Sequence, residues 1–425
     1  MIAAANLGAQ ILGVLSLPIL SRLFSPEDFG ILTMYTVLHG VGLSIASGRL
    51  DWIVPNVATD RRARRLLWVG GVFVVSTTVL TSIGIWILGD PIVSRLGPSM
   101  TIGVLWLLPL GLAAGGVNLL LQAWCVLHGD LTDVSRARVW QAVTTLLASL
   151  AVGVLCSTTF GLVLAYVLGF IAAASTMAMR SRHGPSPWVL PRASHLRETF
   201  RMYSGHIAAN MSLGLVNNIT TSLILILLIA WYDNEVVGWY GLVFRVAAAP
   251  IGLVTQALVK SFWTDAAALV KTDPGRLREF YIGAVLRLSV VGCFVVVVAL
   301  FAPVYVPPIF GREEWTGAGV LLASASPYLF ALVVFSPTTH LVVYMKGHWQ
   351  VASDLATVVG AATAFSYFAH DGHEAWVAIL AASFTLLAGY TVRFWLHLYA
   401  NRALLSSRES TPGIPTGEDP PGDET

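Results

Sequence analysis

The feature that most constrains this chain is a series of apolar runs, each near 20 residues long, joined by short polar connectors. A helix of about 20 apolar residues crosses the hydrocarbon layer of a bilayer with all its backbone hydrogen bonds satisfied internally. The sequence predicts twelve such spans, at residues 2–20, 30–48, 66–88, 101–127, 139–155, 161–179, 203–230, 237–259, 282–306, 318–344, 351–369 and 376–398. We therefore expect an all-α polytopic membrane protein.

Composition excludes several other classes of protein. Only 11% of the residues are charged, against about 25% in an average soluble domain, which is too few to cover a water-exposed surface. The net charge of +2 comes without a dense basic tract, so nucleic acid is not an expected partner. Cys125, Cys156 and Cys293 are scattered and show no metal-binding or disulfide spacing. The sequence predicts neither a metal nor a cofactor.

The basic residues set an orientation. If the N-terminus is cytoplasmic, 21 of the 25 Lys and Arg residues fall in or beside the inner connectors, 3 fall in the outer ones, and Arg245 lies inside a span. Cytoplasmic loops carry this excess of positive charge in membrane proteins. We therefore expect a multi-pass protein of the cell (inner) membrane with both termini in the cytoplasm.

The chain divides into two similar halves. We predict an N-terminal six-helix bundle at residues 1–179, a cytoplasmic linker at 180–202, a C-terminal six-helix bundle at 203–400 and a disordered tail at 401–425. Asp28-Phe29-Gly30 precedes the second span as Glu235 to Gly238 precedes the eighth, which suggests a weak repeat. Halves of six spans start on the same side, so they relate by an axis along the membrane normal.

Polar residues recur at helical spacing within several spans. Such stripes either pack helices against one another or line a water-filled cavity, and we expect packing for the Gly and Ala members. The stripes are Asn6, Gln10 and Gly13; Gly111, Gly115, Asn118 and Gln122; His206, Asn210, Gly214, Asn217 and Thr221; and Gly241, Arg245, Ala249, Gly252 and Gln256.

Arg245 is the most informative member of these stripes. A cation near the middle of a membrane is costly unless it faces water, an anion or a carboxylate. No Asp or Glu lies inside the seventh or eighth predicted span, so we favour a cavity over a structural ion pair.

Other ionisable residues allow two readings each. His39, His206 and His340 either relay protons or are hydrogen-bonded packing residues, and packing is the commoner role. Asp354 either binds a coupling cation or caps its helix, of which capping is the more frequent. Arg49 beside Asp51 is either an inner gate or a snorkelling positive-inside residue.

Prolines mark expected bends, and familiar catalytic motifs are missing. Pro250 should bend the eighth span, while Ser326-Pro327 and Ser336-Pro337 should kink the tenth. The sequence contains no GxxxxGK[ST], HExxH or GxSxG motif, so we expect no catalytic residues and no enzyme activity.

At this point the sequence resembles the bacterial polysaccharide biosynthesis proteins of the O-antigen flippase type, within the superfamily that includes the multidrug and toxic compound extrusion transporters. The residues that carry the resemblance run over most of the chain. They are LPILSRLFSPEDFG at 17–30, GRLDW at 48–52, Tyr203-Ser204, VGWY at 237–240, Arg245, Pro250, Phe310-Gly311, Trp315, Gly317-Ala318 and Ser336-Pro337.

The resemblance implies two six-helix bundles around a central cavity that opens to alternate sides. It implies an undecaprenyl-pyrophosphate-linked oligosaccharide as cargo, moved from the cytoplasmic to the outer leaflet while its prenyl tail stays in lipid. Arg245, with Arg49, would attract the pyrophosphate. The sugars would be hydrogen-bonded by Asn118, Gln122, Asn210, Asn217 and Gln256. Family members usually have several more residues before the first span, so the natural start of the chain is open.

Two other functions remain as alternatives. A cation-coupled drug exporter of the same fold would need acidic residues deep in the cavity, and the chain has almost none. A membrane-embedded polysaccharide polymerase or glycosyltransferase would need a sizeable outer loop, and the outer connectors near 89–100 and 307–317 are short. The expected partners are the lipid-linked oligosaccharide, the bilayer and other polysaccharide-assembly membrane proteins. His39, His206 and Asp354 are the candidates for ion coupling.

Overall fold

The computed structural model describes residues 2–96, 100–180, 191–272, 274–311, 313–337 and 347–409, and these ranges contain helices and turns but no β-strand. The helices of the first half are α1 Ile2–Leu20, α2 Pro26–Ala46, α3 Asp60–Leu96, α4 Ile102–Leu127, α5 Leu131–Leu155 and α6 Thr159–Arg180. Those of the second half are α7 Ala193–Thr221, α8 Leu223–Trp231, α9 Asn234–Thr272, α10 Pro274–Leu300, α11 Ala302–Phe310, α12 Thr316–Ser324, α13 Ser326–Val334, α14 Gly347–His370 and α15 Ala375–Glu409.

The helices form a multi-pass membrane protein. In the described part of the chain, eight helices are long and apolar enough to cross a bilayer, or ten spans if each of two bent pairs counts as one. Each of the twelve predicted spans coincides with a helix or a pair of consecutive helices. The predicted fold class is therefore confirmed.

Three predicted spans are interrupted. The seventh breaks at Ser222, where α7 and α8 meet at 63°. The ninth, which looks like the cleanest apolar run, ends as a helix at Leu300, and Pro303 opens the short helix α11. The tenth bends by 51° between α12 and α13, and α13 begins at Ser326-Pro327 as predicted. Residues 338–344 of that span lie outside the described residues, as does His340.

Two helices extend beyond the predicted spans into the predicted connectors. Helix α15 continues to Glu409, past residue 401, where we predicted the disordered tail. The segment 401–409 has no Pro or Gly to stop the helix, whereas Pro412 and Gly413 follow soon after. Similarly, α7 begins at Ala193, inside the predicted linker 180–202. A longer span tolerates such extensions because only its apolar part must match the membrane.

The described helices pack as two bundles. In the N-half, α1–α6, helix α5 packs on α1 and α6, and α4 packs on α3 and α6. In the C-half, α7–α15, helix α14 packs on α15, and α13 packs on α10 and α15. The halves meet mainly through α2 and α9, and α7 also lies against α2 and α3. The largest buried apolar cluster crosses this interface, since it includes Phe29, Leu242 and Trp315.

Local sequence fixes where α2 begins. The Ser25 hydroxyl accepts a hydrogen bond from the backbone N–H of Asp28, and the Asp28 carboxylate accepts one from the backbone N–H of Ser25. Pro26 occupies the first helical position, where its missing N–H costs nothing. Thr159 at the start of α6 also donates to the Asp28 carboxylate. This reciprocal cap holds the start of α2 where it meets the C-half.

Candidate functional site

The two halves touch backbone to backbone at one end of their interface. A Cβ atom added to Gly30 of α2 would lie 1.9 Å from the carbonyl oxygen of Asn234, and one added to Gly238 of α9 would lie 1.8 Å from that of Pro26. One turn further along α9, a Cβ added to Gly241 would lie 2.2 Å from the hydroxyl oxygen of Thr33. We call this the Gly30 end. Gly30 and Gly238 are the equivalent glycines of the predicted repeat, and they meet here.

Trp315 closes the same end. Its side chain is fully buried, and its indole N–H donates a 3.2 Å hydrogen bond to the backbone oxygen of Ser21, at the end of α1. The Ser21 hydroxyl donates in turn to the Phe310 carbonyl oxygen at 2.7 Å. The Phe29 ring packs edge-on against Trp315 at 5.5 Å. These contacts join the halves across a buried surface.

Arg245 lies just beyond this closed surface. It is one turn after Gly241 on α9, and its guanidinium donates a 3.0 Å hydrogen bond to the Thr36 hydroxyl of α2. The side chain is half-buried. Within the described ranges, no carboxylate lies within 4 Å of the guanidinium. Arg245 therefore lies at the interface between the halves, with no carboxylate beside it in the described ranges. Its hydrogen-bond partner, Thr36, was not predicted from the sequence.

His39 belongs to a hydrogen-bonded cluster inside the N-half. Its Nε2 lies 2.9 Å from the carbonyl oxygen of Gly111. Because a carbonyl oxygen only accepts, we assign the hydrogen to Nε2, and Nδ1 then accepts from the Tyr166 hydroxyl at 3.3 Å. Phe170 packs against the ring at 4.9 Å. His39 is fully buried, which fits the packing role.

Arg49 lies at the opposite end of α2, which we call the Arg49 end. Its guanidinium is 3.8 Å from the Asp51 carboxylate and 4.8 Å from the centre of the Trp52 ring. It also packs against α7, because a Cβ on Gly214 would lie 2.3 Å from its Nε. That Nε is buried without a hydrogen-bond partner in the described part of the chain. Burial raises the pKa of Asp51, and the Arg49 charge and the Ser47 hydroxyl oppose this rise.

Arg49 and Arg245 contact α2 and its end at different heights. Thr36, the partner of Arg245, lies ten residues before Ala46, the last residue of α2, which is about 15 Å along the helix axis. Arg49 follows beyond that helix end. The backbone positions of the two arginines are therefore well separated along the axis of α2, and their joint action on one pyrophosphate stays a prediction.

The polar stripe of α7 faces two directions. Asn210 is half-buried, while His206 and Asn217 are exposed. Asn218, which the stripe did not include, donates hydrogen bonds to the Gly40 carbonyl oxygen and to the Ser44 hydroxyl of α2. Asn218 therefore ties α7 to the N-half, whereas the neighbouring Asn217 is exposed.

The amino-acid sequence matches the model of a known protein family. A family model described as polysaccharide biosynthesis protein matches residues 19–319, well over half of the chain. The chain belongs to this polysaccharide biosynthesis protein family. The matched region contains the Gly30 end, Arg245 and Arg49. No curated protein matches the chain by sequence.

Three solved structures resemble this family member along nearly its whole length. An inward-facing multidrug resistance MATE family transporter of the MOP superfamily matches with a TM-score of 0.64 and 14% identity, over 97% of this chain and 96% of that chain. The lipid II flippase MurJ, in an inward closed conformation, matches with a TM-score of 0.70 and 9% identity, over 96% and 90%. A MOP superfamily transporter from Pyrococcus furiosus matches with a TM-score of 0.59 and 14% identity, over 96% and 95%. These likenesses show that the fold is that of MOP superfamily transporters.

The remaining residues that the sequence predicted for the site lie on different helices. On α4, Asn118 is buried and its Oδ1 has no hydrogen-bond partner among the described residues, while Gln122 is half-buried. Gln256 lies in α9, and its side chain is outside the described part. Asp354 does not cap α14, because it lies two turns inside that helix. It forms an ion pair with Arg393 of α15, and neither residue belongs to α2 or α9.

Proposed function

We propose that the protein flips a polyprenyl-pyrophosphate-linked oligosaccharide across the cell membrane for surface polysaccharide synthesis. The observation that carries this proposal is Arg245, a cation at the interface of the halves with a hydroxyl as its hydrogen-bond partner. Insertion of an Arg at the centre of a membrane helix costs about 3 kcal/mol on biological scales. An anionic head group that passes between the halves offsets that cost, and a pyrophosphate presents several acceptor oxygens to a guanidinium.

The direction of transport follows from the predicted orientation. With both termini in the cytoplasm, the Gly30 end faces outward and the Arg49 end faces inward. The contacts at the Gly30 end then close the outer side, and cargo enters from the cytoplasm. Asn210 and Asn217 of α7, with Asn118 and Gln122 of α4, supply amide groups for sugar hydroxyls between the two ends. Separation of the Gly30 end would release the head group to the outer leaflet.

The direct test is transport of a lipid-linked sugar between leaflets in proteoliposomes that contain the purified protein. We expect Arg245→Ala to abolish transport and surface glycan while leaving the protein level unchanged, and Arg245→Lys to retain part of the activity because it keeps the charge but loses the planar fork. Thr36→Val is the matched control, since it removes the hydrogen-bond partner and keeps the cation. Full transport by Arg245→Ala would overturn the proposal.

The same vesicles separate this function from drug export. A cation-coupled exporter would move a cationic dye against a proton or sodium gradient, and Arg245→Ala would leave that activity intact or increase it, because the arginine repels a cation. Dye transport without lipid-linked sugar transport would favour the exporter. A membrane enzyme would instead elongate or transfer the sugar in the same assay.

A further inference from the structure

The C-half contains a cavity whose lining residues all belong to that half. It has a volume of about 380 Å³ and lies among α9, α10, α11, α12 and α13. Tyr305 is the only residue with a polar side chain among those that line it. The floor is closed by buried residues such as Leu329 and Ala299. The cavity is within the size range of small-molecule pockets, but it has almost no group to orient a polar ligand.

This cavity opens toward the bilayer between α9 and α10. Phe294 and Val291 of α10 line it and are exposed, and Pro250 of α9 lines it and is exposed as well. Most of the apolar residues of α10 are not buried inside the protein, and in a bilayer such an apolar surface faces lipid. An apolar chain in the membrane therefore enters the cavity sideways without crossing water.

The cavity is next to Arg245 on α9. Three residues that line it lie within five positions of Arg245 on α9, namely Val246, Ala247 and Pro250. At 100° per residue these positions lie on the face of α9 opposite to Arg245, which points at Thr36 of the N-half. An amphiphile with an anionic head at Arg245 reaches the cavity by passing half-way around α9, a path of about 15 Å for a helix of 10 Å diameter. An undecaprenyl chain is far longer than that.

We infer that this α9–α13 cavity binds a stretch of the polyprenyl tail beyond its first isoprenoid units, about 15 Å from the pyrophosphate held at Arg245. The inference rests on the proposed function and adds a second subsite to it. One lipid then occupies both faces of α9, and the fit of the tail selects long isoprenoid pyrophosphates over soluble ones. The Arg245 guanidinium and the cavity are complementary to the pyrophosphate and the tail of one molecule. An ordinary acyl chain would match the cavity alone.

The test compares binding of farnesyl pyrophosphate and undecaprenyl pyrophosphate to the full-length protein in nanodiscs of one fixed phospholipid composition. Ala299→Leu and Ala247→Leu fill part of the cavity. We expect each to weaken undecaprenyl pyrophosphate binding about tenfold, the equivalent of about two buried methylene groups, and to leave farnesyl pyrophosphate binding within about twofold. Val290→Leu, on the exposed face of α10 outside the lining, is the matched control and should change neither.

The outcomes separate the two proposals. If Arg245→Ala weakens both ligands but the filled variants bind undecaprenyl pyrophosphate as the wild type does, the cavity holds only membrane acyl chains and the inference is wrong. If Arg245→Ala weakens neither ligand, the proposed function itself fails. Phe294→Ala removes an exposed ring at the mouth of the cavity, so it tests the cavity even if the filled variants misfold. We expect it to speed association of the long-chain ligand, and an unchanged rate would count against lateral entry.

Discussion

The closed Gly30 end depends on the absence of a side chain at Gly238, and Gly238→Ala perturbs it by a single methyl group. That Cβ would stand 1.8 Å from the Pro26 carbonyl oxygen, whereas ordinary contact begins at 3.4 Å. Both partners are helix backbone, so no side-chain rotation relieves the overlap. Helices α2 and α9 must therefore part by about 1.6 Å, because packed interiors leave no spare volume.

The energetic consequence is large enough to measure. Overpacking of this kind costs about 1–3 kcal/mol, which corresponds to about a 5- to 150-fold shift in a two-state equilibrium. We expect Gly238→Ala to raise the population open at the Gly30 end by a factor in that range. Gly71→Ala in α3 is the matched control, because a Cβ there meets no atom within 4 Å, and it should gain only the higher helix propensity of alanine.

A buried cysteine reports the opening. Thr33 is 1% exposed and faces Gly241, and its hydroxyl has no hydrogen-bond partner in the described part of the chain, so Thr33→Cys is a mild change. The three native cysteines are first replaced by serine. Reaction of Cys at this position with a membrane-impermeant maleimide should then be faster in the Gly238→Ala background than in the Gly71→Ala background. Equal rates would refute the argument that these glycines hold the end closed.

Three further perturbations follow from single contacts. Trp315→Phe keeps an aromatic side chain but is smaller and leaves the Ser21 oxygen without its donor, so the unfolding free energy should fall by at least about 1 kcal/mol and maleimide labelling at residue 33 should rise; unchanged labelling would show that these contacts do not hold the end closed. Tyr166→Phe removes the donor to the buried His39 and should cost about 1–3 kcal/mol in denaturant unfolding, whereas Tyr232→Phe, which loses a more exposed bond to the His373 carbonyl, should cost less; equal costs would contradict the assigned bond. Asp354→Ala leaves the Arg393 charge buried without its carboxylate and should lower stability by about 3–5 kcal/mol, and the double variant Asp354→Leu/Arg393→Met should recover most of the loss unless the pair does more than join α14 to α15.

Two kinds of sequence signal were reliable for the fold. The apolar runs located the helices because a span must shield its backbone from lipid whatever its neighbours are. The Ser326-Pro327 bend was also visible, because proline lacks the N–H that the preceding turn needs. The break at Ser222 carried no such signal, since no Pro or Gly lies beside it.

For the site, the sequence identified the unusual residue but not its surroundings. Arg245 stands out because a cation within an apolar run is rare, but Thr36 is one of several hydroxyl residues in apolar segments. The helical stripe of α7 named Asn217, whereas Asn218, one position away, makes the bonds to α2. Helical spacing gives the faces of a helix and does not say which face a neighbour covers.

By itself, the sequence determined that the chain is an α-helical multi-pass membrane protein, that a cation lies within the eighth predicted span and that two similar glycine motifs open the second and eighth predicted spans. Each of these follows from the local chemistry of a segment in lipid. Only the tertiary structure decided that Gly30 and Gly238 lie at one contact, that Arg49 and Arg245 are separated along α2, and that an apolar cavity lies behind α9. Those facts depend on distances between segments far apart in the chain, which are set by the packing of whole helices.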